Sequence, residues 1–154
     1  MSTTAPVGAR SGWTFAQWGL LVICVLHLIQ AVIGFIAEPS FAIGPDAPTA
    51  VVFGMDYNGW HALAGFALFA PGLVFATRPG WAVAYLLVAG VGGALPGVWA
   101  WFSHQVAFIF TFPNNRTDAI VHLVTAAVMI GIALIQARRD GGLRASLAGL
   151  SRRA

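Results

Sequence analysis

The stretch GWHALAGFALFAPGLVFATRPGWAVAYLLVAGVGGALPGVWAW, residues 59–101, decides how this chain folds. Two apolar runs, 58–76 and 81–101, meet at TRPG, a tight turn signal. Each approaches the ~20 mostly apolar residues that a helix needs to cross a ~30 Å hydrocarbon core. Working outward, 17–37 and 118–137 have the same character. Lipid offers no hydrogen bonds to backbone groups, so spanning segments are helices or the strands of a closed barrel. The runs are continuous rather than alternating, which selects helices. The expected fold class is therefore all-α, an integral membrane four-helix bundle.

Composition supports a membrane setting. Of 154 residues, 58% are hydrophobic and only 8% charged, and a soluble domain carries far more charge than that. Mean hydropathy is +0.80. The first run is read as an uncleaved anchor, because no A-x-A-like site follows it and Phe35 stands where a signal peptide would need a small residue. The lone cysteine, Cys24, lies inside an apolar run and reads as a small hydrophobe.

All eight basic residues are arginine. With the N-terminus in the cytoplasm, Arg10, Arg78, Arg138, Arg139, Arg144, Arg152 and Arg153 fall inside, and only Arg116 falls outside. That asymmetry follows the positive-inside rule and puts both termini in the cytoplasm. It also assigns the basic pI near 10 to membrane orientation rather than to nucleic acid. The organisation expected is a cytoplasmic segment 1–16, a membrane domain 17–137 and a basic tail 138–154. Trp13, Trp18 and Trp81 then mark the inner interface, and Tyr57, Trp60, Trp99 and Trp101 the outer one. The segment between the first two runs is rich in Pro and Gly, and the apolar middle of 102–117, with His104 at its start, is expected to dip into the interface. In the tail, Leu143, Leu147 and Leu150 recur at helical spacing, which suits a helix on the inner leaflet or a disordered stop-transfer tail.

Polar residues are scarce, yet one arrangement occurs twice. GMDYNGWHALAGFALF (54–69) carries Asp56, Asn58 and His61 at the mouth of the second run. NNRTDAIVHLVTAAV (114–128) carries Asn115, Asp118 and His122 at the mouth of the fourth. Asn58 and His61 are three apart and Asp118 and His122 four apart, so each pair shares a helix face. Both helices enter from the outer side, so a polar cap is expected at that end of the bundle. Deeper, Cys24, His27 and Gln30 share one face of the first run, and that face should point inward because His or Gln facing lipid is costly.

The cap admits three uses. Its groups could satisfy one another and fix helix register. His61 and His122 could ligate haem or a metal ion, with Asp118 orienting a ring. Asp56, Asp118 and the histidines could serve a proton-linked carrier or sensor. His27 is about six residues deeper than His61, ~9 Å along a helix, so His61 pairs better with His122. No CxxCH, HExxH, nucleotide-binding loop or serine elbow is present. Helix association is expected through small residues, including Gly93-x-x-x-Gly97 and Gly90 in the third run and Ala64, Gly65 and Ala67 in the second. Pro71 and Pro96 should kink their helices.

The motifs NGWHALAG, GFIAEP and NNRTDAIVHLVTAA resemble a family of small bacterial four-helix membrane proteins known as a domain of unknown function, number 4383. The matching residues are Asn58, His61 and Gly65, then Asp118, His122 and Leu123; Ala62 and Ala126 depart from the family's usual Leu and Gly. The resemblance spans roughly 15–137. It implies four helices in a bacterial inner membrane and supplies no activity. The function expected is therefore a non-enzymatic structural or accessory component. Its expected partners are the lipid bilayer and either further copies of itself or a larger membrane complex, and no cofactor is expected. The alternatives are haem or metal binding through His61 and His122, and a proton-linked carrier or sensor.

Overall fold

The computed structural model describes residues 12–44, 46–103 and 115–150. Four apolar helices make up most of it: α1 (Phe15–Ala37), α2 (Gly59–Phe75), α3 (Pro79–Ala100) and α4 (Arg116–Arg139). Their limits fall within about two residues of those expected. A short helix, α5 (Leu143–Leu147), and a single 3₁₀ turn, Ala148–Leu150, come after them. α1, α3 and α4 are long and apolar enough to cross a membrane, while α2 has 17 residues. These helices suggest a multi-pass membrane protein in contact with lipid.

The starts of the helices are chemically marked. Thr14 and Gln17 form a reciprocal capping box that begins α1 at Phe15. Pro79 occupies the first turn of α3, where its missing N–H costs nothing. Asn58 caps α2 and Asn115 caps α4, each side chain accepting from the main-chain N–H three residues on. α2 and α3 run through Pro71 and Pro96, and beside the first of these Tyr85 Oη donates to the Leu68 carbonyl at 2.6 Å.

Packing follows the small residues, but not as the Gly93-x-x-x-Gly97 pattern suggests. α3 lies mainly on α4 and α1 on α2. Gly90 and Gly97, two turns apart, seat α3 on α4: a Cβ at Gly97 would come 2.8 Å from His122 Cβ, and one at Gly90 2.9 Å from Ile130 Cγ1. Gly93 faces α2 instead. Between α1 and α2, Gly65 meets Ala31, and Gly72 makes room for Cys24. The main core gathers Leu20, Cys24, Phe69, Val83, Leu86 and Met129.

One element departs from expectation. The fold is mostly rather than wholly helical, because residues 50–57 form an antiparallel hairpin, β1 (Ala50–Val52) and β2 (Met55–Tyr57). Phe53 and Gly54 make its two-residue turn with φ of 52° and 80°, the left-handed pair that such hairpins need. Val52, Met55 and Tyr57 are buried and pack against Val121. Tyr57, expected as an interfacial anchor, therefore points into the protein, its ring filling the notch left by Gly34. Of the two readings open for the tail, the structure shows the helical one as far as Leu150, though packed on the bundle. Gly141 and Gly142, with φ of 87° and 127°, turn the chain so that α5 folds back onto α3 and α4. Ser146 Oγ donates to Asp140 Oδ2 at 2.7 Å, and Asp140 Oδ1 accepts from Gln136. His104, the apolar middle of the 102–117 segment, Arg10, Arg152 and Arg153 lie outside the described residues.

Candidate functional site

α2 and α4 both begin at the hairpin end, and their asparagine caps set the phase of the first turn of each. Asn58 Oδ1 accepts from the His61 N–H at 3.1 Å, and Asn115 Oδ1 accepts from the Asp118 N–H at 3.0 Å. The repeated pattern is therefore a helix cap and, three residues later, a group aimed inward. Asn115 also holds the hairpin: its Nδ2 donates to the Gly54 carbonyl at 2.9 Å, tying the turn to α4.

The inward groups converge. The His61 and His122 rings lie 6.1 Å apart between centroids with planes 17° apart. Asp118 sits between them, its side chain 1% exposed, with Oδ2 3.7 Å from His61 Nδ1 and Oδ1 3.7 Å from His122 Nε2. Both separations exceed hydrogen-bond length. Asp118 Oδ2 is buried without a hydrogen-bond partner among the described residues. One ligand-capable atom from each of His61, Asp118 and His122 lies within 4.8 Å of the others.

The hairpin orients His61. Nδ1 donates to the Asp56 main-chain carbonyl at 2.9 Å, and since a carbonyl only accepts, Nδ1 carries the proton and Nε2 the lone pair. The Tyr57 ring lies flat against the imidazole, 4.0 Å from it between centroids, with planes 7° apart. Burial pushes the Tyr57 phenol above its ordinary range, the nearby Asp118 adds to the rise, and a hydrogen bond with Gln30 partly offsets it. Asp56 thus holds His61 through its main-chain carbonyl.

A cavity of about 110 Å³ opens beside the cluster. His61, Asp118 and His122 line one end, and His27, Gln30 and Thr125 supply further polar groups in an otherwise largely apolar wall. His27 Nε2 is 3.2 Å from Thr125 Oγ1, and its ring stacks on Phe69 at 4.2 Å. Gln30 Nε2 donates to Met55 Sδ at 3.2 Å. The two polar sets expected from sequence, the cap and the α1 face, thus border one space. Cys24 does not; it is fully buried in the main core. Met55 and Thr125 escaped the sequence reading, and Tyr57 reads there as an interfacial anchor rather than as part of the site. Thr125 stands one turn beyond His122 on the same face, and the β-branched pair Val51-Val52 before Phe53-Gly54, with the alternating Met55-Asp56-Tyr57 after it, is the signal that would have placed Tyr57 and Met55.

The family described as a domain of unknown function (DUF4383) matches residues 17–135, and the chain belongs to it. No curated protein and no solved structure matches the chain.

Proposed function

We propose that this member of the DUF4383 family is a four-span protein of the bacterial inner membrane, with both termini in the cytoplasm. It works by holding a compact ligand at its non-cytoplasmic end rather than by catalysis, as an accessory component of a membrane assembly. Several features support the membrane placement. Large apolar side chains stand exposed on the helices, among them Leu26, Val74 and Val88 at 61%, 69% and 72%. Such a surface suits lipid and is a liability in water. α2, at 17 residues, is at the lower end of the spanning range. The arginine asymmetry supports the orientation, and the hairpin then covers the outer end of the bundle.

The observation that carries the binding role is the buried Asp118 Oδ2, without a hydrogen bond among the described residues, at the wall of a cavity shared with two imidazoles. A cluster that served only to fix helix register would satisfy its own buried polar atoms. The cavity, at about 110 Å³, has room for an ion or a few-atom ligand at ~30 Å³ per water-sized group. The absence of catalytic motifs from the sequence supports binding over catalysis.

The test is thermal unfolding in mild detergent against a panel of divalent cations, small carboxylates and small amines, with Gly93→Leu as the cavity-filled control. A Cβ at Gly93 would meet only Leu68 Cδ2, at 3.7 Å, so the start of a larger side chain is accommodated. At least one panel member should raise the melting temperature of the unaltered protein and leave Gly93→Leu unmoved. A panel without effect on either protein removes the binding role. Reporter fusions that put 40–56 on the cytoplasmic side would remove the topology, and a monomer in native-membrane nanodiscs with no co-purifying protein would remove the accessory role.

A further inference from the structure

We propose that this cluster is a divalent transition-metal site, with His61, Asp118 and His122 as its protein ligands and a fourth position turned toward the cavity. The proposal rests on the binding role above and names its ligand.

The donor set comes first. Two imidazoles and one carboxylate suit zinc and the neighbouring transition metals, whereas calcium and magnesium take oxygen ligands almost throughout. Three protein ligands with an open fourth position is the pattern of zinc sites that exchange a ligand, not of closed structural ones.

The spacing agrees. With metal–ligand bonds of about 2.0–2.2 Å, donors at the corners of a tetrahedron stand roughly 3.3 Å apart. One donor atom from each of the three side chains already lies within 4.8 Å of the others. Asp118 Oδ1 stands 3.7 Å from His122 Nε2, close to the tetrahedral separation. On the His61 side Asp118 Oδ2 stands 3.7 Å from Nδ1, so a metal held at Nε2 requires the carboxylate to turn toward that edge of the ring.

The surroundings supply what such ligands need. A metal-bound histidine usually gives its other N–H to a carbonyl or carboxylate, which fixes the ring and raises its basicity. His61 does this already, through Nδ1 to the Asp56 carbonyl, and so keeps Nε2 as the basic nitrogen. Stacking on Tyr57 holds the plane of the ring. The buried Asp118 carboxylate oxygen gains a counter-charge and a bond together. Beyond the open position, the cavity has room for a few waters at ~30 Å³ each, with Gln30 and His27 in its wall to bind them or a small anion.

The experiment loads metal-stripped full-length protein in detergent with Co²⁺ and with Zn²⁺. It reads the visible ligand-field bands of Co²⁺, the metal content after desalting, and the melting temperature. The expected result is one Co²⁺ per chain with the intense bands of a tetrahedral site, displaced by Zn²⁺. His122→Ala and Asp118→Ala should each weaken binding by at least the ~10–100-fold seen when supporting residues are lost. Asp118→Asn, which keeps the shape of the side chain, controls for folding and should also lose the tetrahedral bands while melting cooperatively. Unchanged Co²⁺ binding in folded His122→Ala and Asp118→Asn puts the metal elsewhere and overturns the proposal. No metal uptake, with a small carboxylate or amine still stabilising the unaltered protein but not Gly93→Leu, overturns the metal and leaves the binding role standing. No response to any ligand overturns both.

Discussion

Tyr57 and His61, four residues apart and on either side of the Asn58 cap, lie face to face at 4.0 Å. The contact joins the hairpin to α2, and Tyr57 in turn fills the notch at Gly34 on α1. The position of one imidazole therefore depends on a glycine in a different helix. A methyl or larger group at Gly34 would run into the Tyr57 ring.

Gly34→Val should lower stability by roughly 1–3 kcal/mol, the usual range for overpacking. The loss should be local as well as global. Amide protons of 55–57 should exchange faster, while those at the middle of α3 keep their protection. Hydrogen exchange by mass spectrometry in detergent resolves the two regions, and equal acceleration in both would refute a hairpin-centred effect.

Asn115 separates two roles with two substitutions. Asp is as good a cap as Asn, so Asn115→Asp keeps the start of α4 but cannot donate to the Gly54 carbonyl. Asn115→Ala loses both. The alanine variant should cost about 0.5–2 kcal/mol of stability from the cap alone. The aspartate variant should retain most stability yet show faster exchange at 51–56. Equal melting temperatures for the two variants would mean that the cap contributes nothing.

Phe53 holds φ at 52° and is 70% exposed, so its ring gains little burial in exchange for an unfavourable backbone. The left-handed region costs an ordinary residue about 1–2 kcal/mol, and Asn visits it more readily. Phe53→Asn should therefore raise the melting temperature slightly. Phe53→Val, branched at Cβ, should lower it. Thermal unfolding of the pair beside the unaltered protein reads the sign of each change.

How far the sequence could be read depended on whether a residue's role was set by its own helix. The four apolar runs needed only length and continuity, and their observed limits differ from the expected ones mainly through caps such as Thr14. His61, Asp118 and His122 could be brought to one end because both helices start there and both spacings keep the groups on one face. The remainder depended on contacts between elements. Tyr57 reads as an interfacial anchor when β2 is taken for a loop, and only the hairpin register turns it inward. Asp56 reads as a cap carboxylate at the mouth of α2, yet the same register presents its main-chain carbonyl to His61. Depth along the helices sets His27 apart from the cap, but the cavity extends down to it.

The glycines of α3 offer the sharpest contrast between pattern and packing. By spacing, Gly93 and Gly97 form one small-residue motif, and a substitution at either should part the same pair of helices. The structure separates them: Gly97 presses on His122 and Leu123 of α4, whereas Gly93 looks across the cavity toward Leu68 of α2. Gly97→Ala must push the α4 backbone or His122 aside, because its methyl group would come 2.8 Å from His122 Cβ and 3.3 Å from the Ala119 carbonyl. A loss of roughly 1–3 kcal/mol is expected, together with weaker Co²⁺ binding, since His122 moves with the strain. Gly93→Ala meets Leu68 at an ordinary 3.7 Å and gains helix propensity of about 1 kcal/mol, so it should melt at or above the unaltered protein. Equal destabilisation by the two alanines would restore the motif reading and break the link between the α3–α4 seam and the histidine.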